Sequence, residues 1–488
     1  MSMSIRVLRR RRFAGEALTV LGAVLATAAA AATGLSATSG SKTLLFLPIV
    51  VVIALGLGVL ALTRFSAFVY LVLGVRSAVD LFRLSGSAAG NTATNSVAAK
   101  GADPSTILAV LFLLAAFVWL SAQYFKNGRV NGSWLRTTLV LFVTASMLSA
   151  AGSAEPKVSL IEGLRILAIV MMYLVLEQLI VDRATLRRTL VACYVSLLFP
   201  LGYTVYGFLS GHPAADYKGG FTRIAGPFAQ STIYARYLGF MIIFGVALIP
   251  VLNKRARLAM ISLVGLSSVF LLLTLTRGAI ITTALGVLIV AVAQRRQKLV
   301  VGFVVAAIVA LLVMPGLSAR LSEVDAQRAA GGGPTGNTLA WRISYWTEVL
   351  PLANKNPVTG IGLDMTQYNT NAAKQPHNDF IRAYVETGLI GLATYVLFLC
   401  ALVNTAIRAV RRAPPRSSDA AIAIGFLACS VAFVVESAAA NVISSVVCLW
   451  YLMAFAAAGN AVTRLNPTPD PVAPSGATTA PLALPTKG

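Results

Sequence analysis

Residues 375–407 read QPHNDFIRAYVETGLIGLATYVLFLCALVNTAI, a polar stretch followed by a long apolar run. No charged residue interrupts this run between Thr387 and Ile407. A helix needs roughly 20 apolar residues to cross the hydrocarbon core of a bilayer. The stretch therefore predicts a transmembrane helix, with His377 held at the membrane surface where the polar residues end.

The rest of the chain has the same apolar character. Of its 488 residues, 57% are hydrophobic and only 12% are charged. Because a helix satisfies its own backbone hydrogen bonds in lipid, this composition predicts an all-α polytopic transmembrane bundle of about 12–14 spans. The predicted spans are residues 17–34, 43–62, 65–84, 105–125, 137–153, 158–181, 189–209, 231–251, 258–276, 278–294, 299–316, 387–407, 420–440 and 443–463.

The spacing of these runs predicts one large loop domain between late spans. The predicted order is a basic N-terminus, about eleven spans, a large extracytoplasmic catalytic loop, about three further spans and a disordered tail. The corresponding boundaries are residues 1–16, 17–316, 317–386, 387–463 and 464–488.

The basic residues predict the orientation. Alternating spans from a cytoplasmic N-terminus place every dense basic cluster on the same side of the membrane, as the positive-inside rule requires. These clusters lie in residues 6–12, 183–188, 254–257, 295–298 and 408–416. The sequence thus predicts a protein of the cytoplasmic (inner) membrane with both termini inside and the His377 loop outside. The net charge of +23 is then explained by topology, and no nucleic-acid partner is expected.

No metal or disulfide chemistry is indicated. Cys193, Cys400, Cys429 and Cys448 all lie within apolar runs, as expected of small buried hydrophobic side chains. The sequence contains no metal-binding motif, so neither a metal nor another cofactor is predicted.

Arg277 is an external cation that needs a specific explanation. It lies in Thr276-Arg277-Gly278, between two apolar runs that almost touch, so its guanidinium is expected at the outer interface. A charge at that depth costs a few kcal/mol and calls for an anionic partner. The side chain could extend to lipid headgroups or pair with Glu436. Alternatively, it could bind phosphate through two parallel hydrogen bonds.

Arg342 is flanked by aromatic residues at helical spacing. Trp341, Tyr345 and Trp346 predict an amphipathic helix whose aromatic face could lie on the bilayer, with Arg342 presented beside it. A plain interfacial helix would show the same pattern. Residues 356–362 follow, with glycines that permit a tight turn or a close backbone approach.

His377 is the candidate base. Pro376 suits the first turn of a helix, and Asn378, Arg382 and Glu386 would then share one face. The positive end of the helix dipole favours a neutral imidazole that can accept a proton. The alternative is an exposed loop histidine or a helix cap. For His212, which lies in another external loop, a plain loop role is expected.

Charged residues within the predicted spans form small groups of mixed sign. Arg76, Asp80 and Arg83 fall on one helix face, and Glu162 lies three residues before Arg165. We expect these groups to neutralise one another inside the bundle. They could also line a polar cavity.

Several of these motifs together resemble the signature region of the O-antigen ligase/polymerase superfamily. Its pieces here are Arg342, Trp346, residues 357–362 (PVTGIG), residues 376–379 (PHND) and residues 386–392 (ETGLIGL). Residues 223–228 (RIAGPF) resemble the family's R-x-x-G-x-F element. Residues 276–278 resemble its S-R-G turn, with threonine in place of the commoner serine. The resemblance covers about residues 158 to 455.

This resemblance implies a metal-independent membrane glycosyltransferase of the GT-C-like kind. Such an enzyme transfers a glycan from a polyprenyl-diphosphate donor in the membrane to an acceptor hydroxyl on a glycan or glycolipid. Carried over by motif, His377 is the expected base, and Arg277 and Arg342 are expected to bind the diphosphate, with Arg223 as a third cation. Asn378, Asp379, Arg382 and Glu386 are expected to support the site. Direct attack at the anomeric carbon would invert configuration.

Two other classes remain open on the sequence. A secondary transporter or flippase for an anionic lipid-linked substrate would explain the spans and the external cations. Transporters are commonly built from inverted repeats, however, and no internal repeat is evident here. A non-catalytic scaffold for envelope assembly would predict no consequence of losing His377.

Overall fold

A computed structural model of the protein describes residues 47–82, 104–127, 132–218, 221–297, 302 and 339–467. Thirteen α-helices and one β-hairpin make up the regular structure of these residues, apart from short 3₁₀ turns. The helices are α1 (Leu47–Thr63), α2 (Phe65–Val79), α3 (Pro104–Asn127), α4 (Trp134–Ala151), α5 (Pro156–Leu179), α6 (Arg183–Leu209), α7 (Ser231–Leu248), α8 (Lys254–Leu273), α9 (Arg277–Ala293), α10 (Leu339–Val349), α11 (Asp379–Arg412), α12 (Ser418–Ser437) and α13 (Val446–Leu465). The hairpin pairs β1 (Ala215–Lys218) with β2 (Phe221–Ile224).

The predicted all-α membrane bundle is confirmed. In the part of the chain that the structure describes, 9 helices are long and apolar enough to cross a membrane. Three shorter apolar helices accompany them, at Ile53–Thr63, Phe65–Val79 and Arg277–Ala293. The predicted spans 17–34 and 299–316 lie outside the described residues, apart from residue 302, as do residues 317–338 of the predicted loop domain.

α13 is the central helix of the bundle. It packs against α5, α6, α7, α11 and α12, and nearly all of its residues are buried. Alanines dominate its second half, and small side chains let neighbouring helices approach closely in a membrane bundle. Aromatic rings fill the remaining space, as where Phe244 stacks on Phe455 with ring centroids 4.0 Å apart.

The two ends of the bundle are chemically different. At one end Arg183 pairs with Asp419 at 2.7 Å, close to where α6 and α12 begin. The basic residues at the starts of α6 and α8 and at the ends of α9 and α11 belong to this basic end. At the other end, called the site end here, α12 finishes beside α7, where Arg236 pairs with Glu436 at 2.9 Å. His377 and the start of α11 lie at the site end.

Two glycine motifs pack backbone against backbone at the site end. α11 contains a kink at Gly388, whose φ is +68°, and the turn of residues 356–362 lies against it. The amide of Ile361 donates to the carbonyl of Val385 at 3.1 Å. A Cβ at Gly360 would overlap the carbonyl of Glu386, and one at Gly388 would overlap that of Val358. Only glycine fits both positions, since each also has a positive φ.

Charged residues inside the bundle are paired as expected. Arg76 lies 2.9 Å from Asp80, and Arg165 lies 3.2 Å from Glu162. Arg83, the third member of the predicted Arg76 group, lies outside the described residues.

Candidate functional site

The short connection between α12 and α13, loop 438–445, lies at the centre of the site end. Arg342 donates to the carbonyl of Ala439 at 2.6 Å, and Asn378 donates to that of Ala438 at 2.9 Å. The loop therefore contacts both α10 and the residue that precedes α11. Residues that are 60 to 97 positions apart in sequence meet here.

The second half of loop 438–445 is held from two further helices. Asp379, the first residue of α11, accepts hydrogen bonds from the amides of Val442 and Ile443 at 3.0 and 3.1 Å. Arg236 of α7 donates to the carbonyl of Asn441 and to the hydroxyl of Ser445, both at 3.1 Å. Asp379 and Arg236 are both largely buried. Because hydrogen bonds to charged groups are strong, these contacts restrain the backbone of the loop.

His377 lies just before α11, which begins at Asp379. The predicted placement of Pro376 in the first helical turn is wrong, because the side chain of Asn378 caps the helix. It accepts from the amides of Phe380 and Ile381 at 2.9 and 3.1 Å. His377 has a positive φ of 54°, which turns the chain sharply before the cap. The imidazole therefore remains next to the positive end of the helix, although it is not part of it.

Residues of α10 and of loop 438–445 surround the imidazole. Trp346 of α10 donates to the carbonyl of Pro376 at 2.7 Å, and the ring of Trp341 meets that of His377 edge to face at 6.2 Å. On the other side, Asn441 Nδ2 lies 3.4 Å from His377 Nδ1. The candidate base is therefore placed between α10 and loop 438–445.

The aromatic face of α10 packs on protein. Tyr345 is buried and hydrogen-bonds Thr370 at 2.7 Å, and Trp341 stacks on Tyr345 with centroids 4.9 Å apart. The expectation that this face lies on the bilayer is therefore wrong for Tyr345. Tyr345 belongs to a buried apolar cluster with Val158, Val349, Ala353, Ile361, Met365 and Val385. This packing turns Arg342 toward loop 438–445.

Arg342 lies among other cations. Partial burial lowers the pKa of its guanidinium, and the nearby charges of Arg277 and Arg236 lower it further. Its Nε is buried and makes no hydrogen bond. Like charges held this close repel one another, and an anion bound between Arg277 and Arg342 would relieve that repulsion. The planar N–H groups of a guanidinium suit phosphate oxygens.

Arg277 and Arg223 are linked through one turn. Arg277 begins α9, and residues 274–276 connect it to α8. Arg223, which is only 2% exposed, donates through Nε to the carbonyl of Thr274 at 2.9 Å and through Nη2 to the hydroxyl of Thr276 at 2.6 Å. Arg223 thus supports the turn that presents Arg277. Its predicted contact with diphosphate stays a prediction.

Arg382 and Glu386 form a buried charge network beneath the site. They pair at 2.9 Å, and Arg382 also reaches Glu162 of α5 at 3.1 Å. Glu386 accepts from the amide of Asp364 at 2.8 Å. The prediction that Arg382 and Glu386 share a helix face is confirmed. Their role is to anchor α11 to α5 and to the turn of residues 356–366.

The sequence patterns missed two polar residues of this site. Arg236 lies inside a predicted span and Asn441 in a gap of two residues between spans, so neither belonged to a recognisable motif. A charged residue within an apolar run was the available signal for Arg236. Glu436, considered as a partner for Arg277, pairs with Arg236. Within the described residues, no group of three His, Cys, Asp or Glu side chains could hold a metal ion.

Comparison with known proteins supports the family resemblance. Residues 262–396 match the family model described as O-antigen ligase, and this stretch contains Arg277, Arg342 and His377. The chain is also 25% identical over 338 residues to the exopolysaccharide production protein ExoQ of Rhizobium meliloti (strain 1021). That alignment covers 59% of this chain and 74% of ExoQ. Both findings bear out the resemblance to the O-antigen ligase/polymerase superfamily.

Proposed function

We propose that this protein is a membrane glycosyltransferase of cell-surface polysaccharide assembly. It transfers a glycan from a polyprenyl-diphosphate donor to a hydroxyl of a glycan or glycolipid acceptor. The observation that carries the proposal is that Arg342 and His377, which come from different segments of the chain, contact the same loop. Arg342, whose pKa is lowered by partial burial and then by Arg277 and Arg236, contacts loop 438–445 at Ala439, and His377 contacts the same loop at Asn441.

In the proposed reaction, His377 accepts the proton of the acceptor hydroxyl. The hydroxyl oxygen attacks the anomeric carbon of the donor sugar and forms the new glycosidic bond. The bond from that carbon to the diphosphate breaks, and polyprenyl diphosphate departs with the electron pair. Attack from the side opposite the leaving group inverts the anomeric configuration.

Arg277 and Arg342 stabilise the departing diphosphate. The leaving group gains negative charge as its bond breaks, and cations already in place bind this charge more strongly in the transition state than in the ground state. Arg223 keeps the 274–276 turn in position for Arg277. Arg382 and Glu386 hold α11, so that His377 keeps its place relative to the arginines.

Reconstitution tests this function directly. The pure protein in liposomes is given a polyprenyl-diphosphate oligosaccharide and a glycan or glycolipid acceptor, and products are separated by mass. A product that joins donor glycan to acceptor, with polyprenyl diphosphate released, supports the proposal. Movement of intact donor between leaflets without a new glycosidic bond would instead identify a flippase.

The proposed site lies on the extracytoplasmic face of the inner membrane. Lys355 is exposed at the site end, and Arg412 is exposed at the basic end. In a variant whose four cysteines are replaced, we expect Lys355→Cys to react with a membrane-impermeant thiol reagent added to intact cells. Arg412→Cys should react only after permeabilisation. The reverse pattern would contradict the positive-inside assignment and place the reaction in the cytoplasm.

A further inference from the structure

Asn441 offers a second function for loop 438–445. Its side-chain Nδ2 lies 3.4 Å from His377 Nδ1. Its backbone carbonyl oxygen accepts a hydrogen bond from Arg236 at 3.1 Å. The next two amides, of Val442 and Ile443, are bound by Asp379. The backbone of residues 441–443 is thus held by contacts that do not involve the Asn441 side chain.

The orientation of the Asn441 carboxamide is coupled to which nitrogen of the His377 imidazole carries the proton. With Asn441 Nδ2 toward Nδ1, the neutral ring would hold its proton on Nε2. With the amide turned by half a rotation, Asn441 Oδ1 would accept from Nδ1–H, and Nε2 would be the unprotonated nitrogen. Asn441 Oδ1 is buried without a hydrogen-bond partner in the first arrangement. Turning the amide gives this oxygen a donor.

We propose that Asn441 is the positioning residue of His377, with its Oδ1 accepting from Nδ1–H so that Nε2 faces the acceptor hydroxyl. This rests on the proposed function, because it assigns the working nitrogen of that base. During transfer, Nε2 takes the hydroxyl proton, Nδ1 keeps its own, and the imidazolium that results is stabilised by the Asn441 dipole. Asn441 itself exchanges no proton.

Three variants of one residue test the assignment. Asn441→Leu keeps the side-chain volume and removes the acceptor, Asn441→Ala removes it with less bulk, and Asn441→Asp retains it. All three keep the backbone contacts with Arg236 and Asp379. The matched control is Ser444→Ala, which removes a hydrogen bond from the Ser444 hydroxyl to the Asn441 carbonyl and does not touch the imidazole.

We expect Asn441→Leu and Asn441→Ala to lower kcat by about 10²-fold, the effect of a misplaced catalytic group, with the donor KM unchanged. Asn441→Asp should retain kcat to within about tenfold, because its carboxylate still accepts from Nδ1–H. Ser444→Ala should behave like the wild type. The purified variants are assayed with saturating acceptor, and thermal unfolding checks that each is folded.

Several results would overturn the proposal. A purely structural role would shift the loop and therefore Arg342, so a raised donor KM with unchanged kcat in Asn441→Leu and Asn441→Ala would refute it. Equal loss of kcat in Asn441→Asp and Asn441→Leu would show that no acceptor is needed. If His377→Ala is inactive while the Asn441 variants match the wild type, this inference fails and the proposed function stands. If His377→Ala transfers glycan at the wild-type rate, His377 is not the base and this inference fails, whereas the proposed function itself fails if the wild-type protein forms no new glycosidic bond.

Discussion

Replacing His377 with alanine is expected to lower kcat for glycan transfer by roughly 10²- to 10⁴-fold, the usual contribution of a positioned general base. Donor binding should persist, because the diphosphate contacts belong to other residues. Stability should change little, since the imidazole is only partly buried. The measurement is kcat in liposomes with both substrates saturating, together with the unfolding midpoint.

The chain supplies its own control for this experiment. His212 is the other of its 2 histidines and lies on an exposed loop, where its Nδ1 contacts the carbonyl of Ser210 at 2.7 Å. His212→Ala should leave kcat unchanged. Near-normal turnover by His377→Ala would remove the histidine from the chemistry and would leave the catalytic base unassigned.

Exchange of Arg277 or Arg342 for lysine should severely impair use of the donor although the charge is kept. A planar guanidinium binds two phosphate oxygens through parallel hydrogen bonds, and an ammonium does not reproduce that geometry. Arg342→Lys also loses a donor group toward the Ala439 carbonyl, which the arginine reaches at 2.6 Å. We expect kcat/KM for the donor to fall about 10- to 100-fold in each variant, the loss of one or two charge-assisted hydrogen bonds.

Arg255→Lys is the matched control, because Arg255 is exposed at the basic end of the bundle. Donor saturation curves for the three variants separate the two explanations of Arg277. If Arg277 only extends to lipid headgroups, lysine serves almost as well and its curve overlays that of the wild type. A chelator should have no effect on the wild-type protein. Activity that requires added divalent cations would contradict the assignment of charge stabilisation to arginine.

Within the described residues, hydropathy was sufficient to predict the membrane helices, because a span in lipid must be apolar along its whole length. Helix ends were predicted less well. α11 begins at Asp379, eight residues before the predicted span at Thr387, because the side chains of Arg382 and Glu386 are neutralised by each other and by Glu162. A hydropathy pattern counts these charges as a boundary, whereas tertiary pairing lets the helix continue through them.

The candidate site was predictable where its residues form local motifs. His377, Arg277 and Arg342 each stand in a short pattern, and Trp346 beside Arg342 indicated an amphipathic helix. Loop 438–445 has no such pattern, since its main contributions are backbone carbonyls and amides. Its importance follows only from contacts with Arg236 and Asp379, which lie far from it in sequence. Tertiary arrangement of this kind leaves no local signal.

The way loop 438–445 is tethered limits how this protein can be recombined with its relatives. A chimera that exchanges residues 339–412 alone would bring a new Arg342, Asn378 and Asp379 to an old loop, whose carbonyls and amides they must meet. The loop in turn depends on Arg236 in α7. The smallest exchangeable unit for altering substrate choice is therefore discontinuous. It comprises the start of α7, the segment from α10 to α11 and the α12–α13 connection, which must be transferred together.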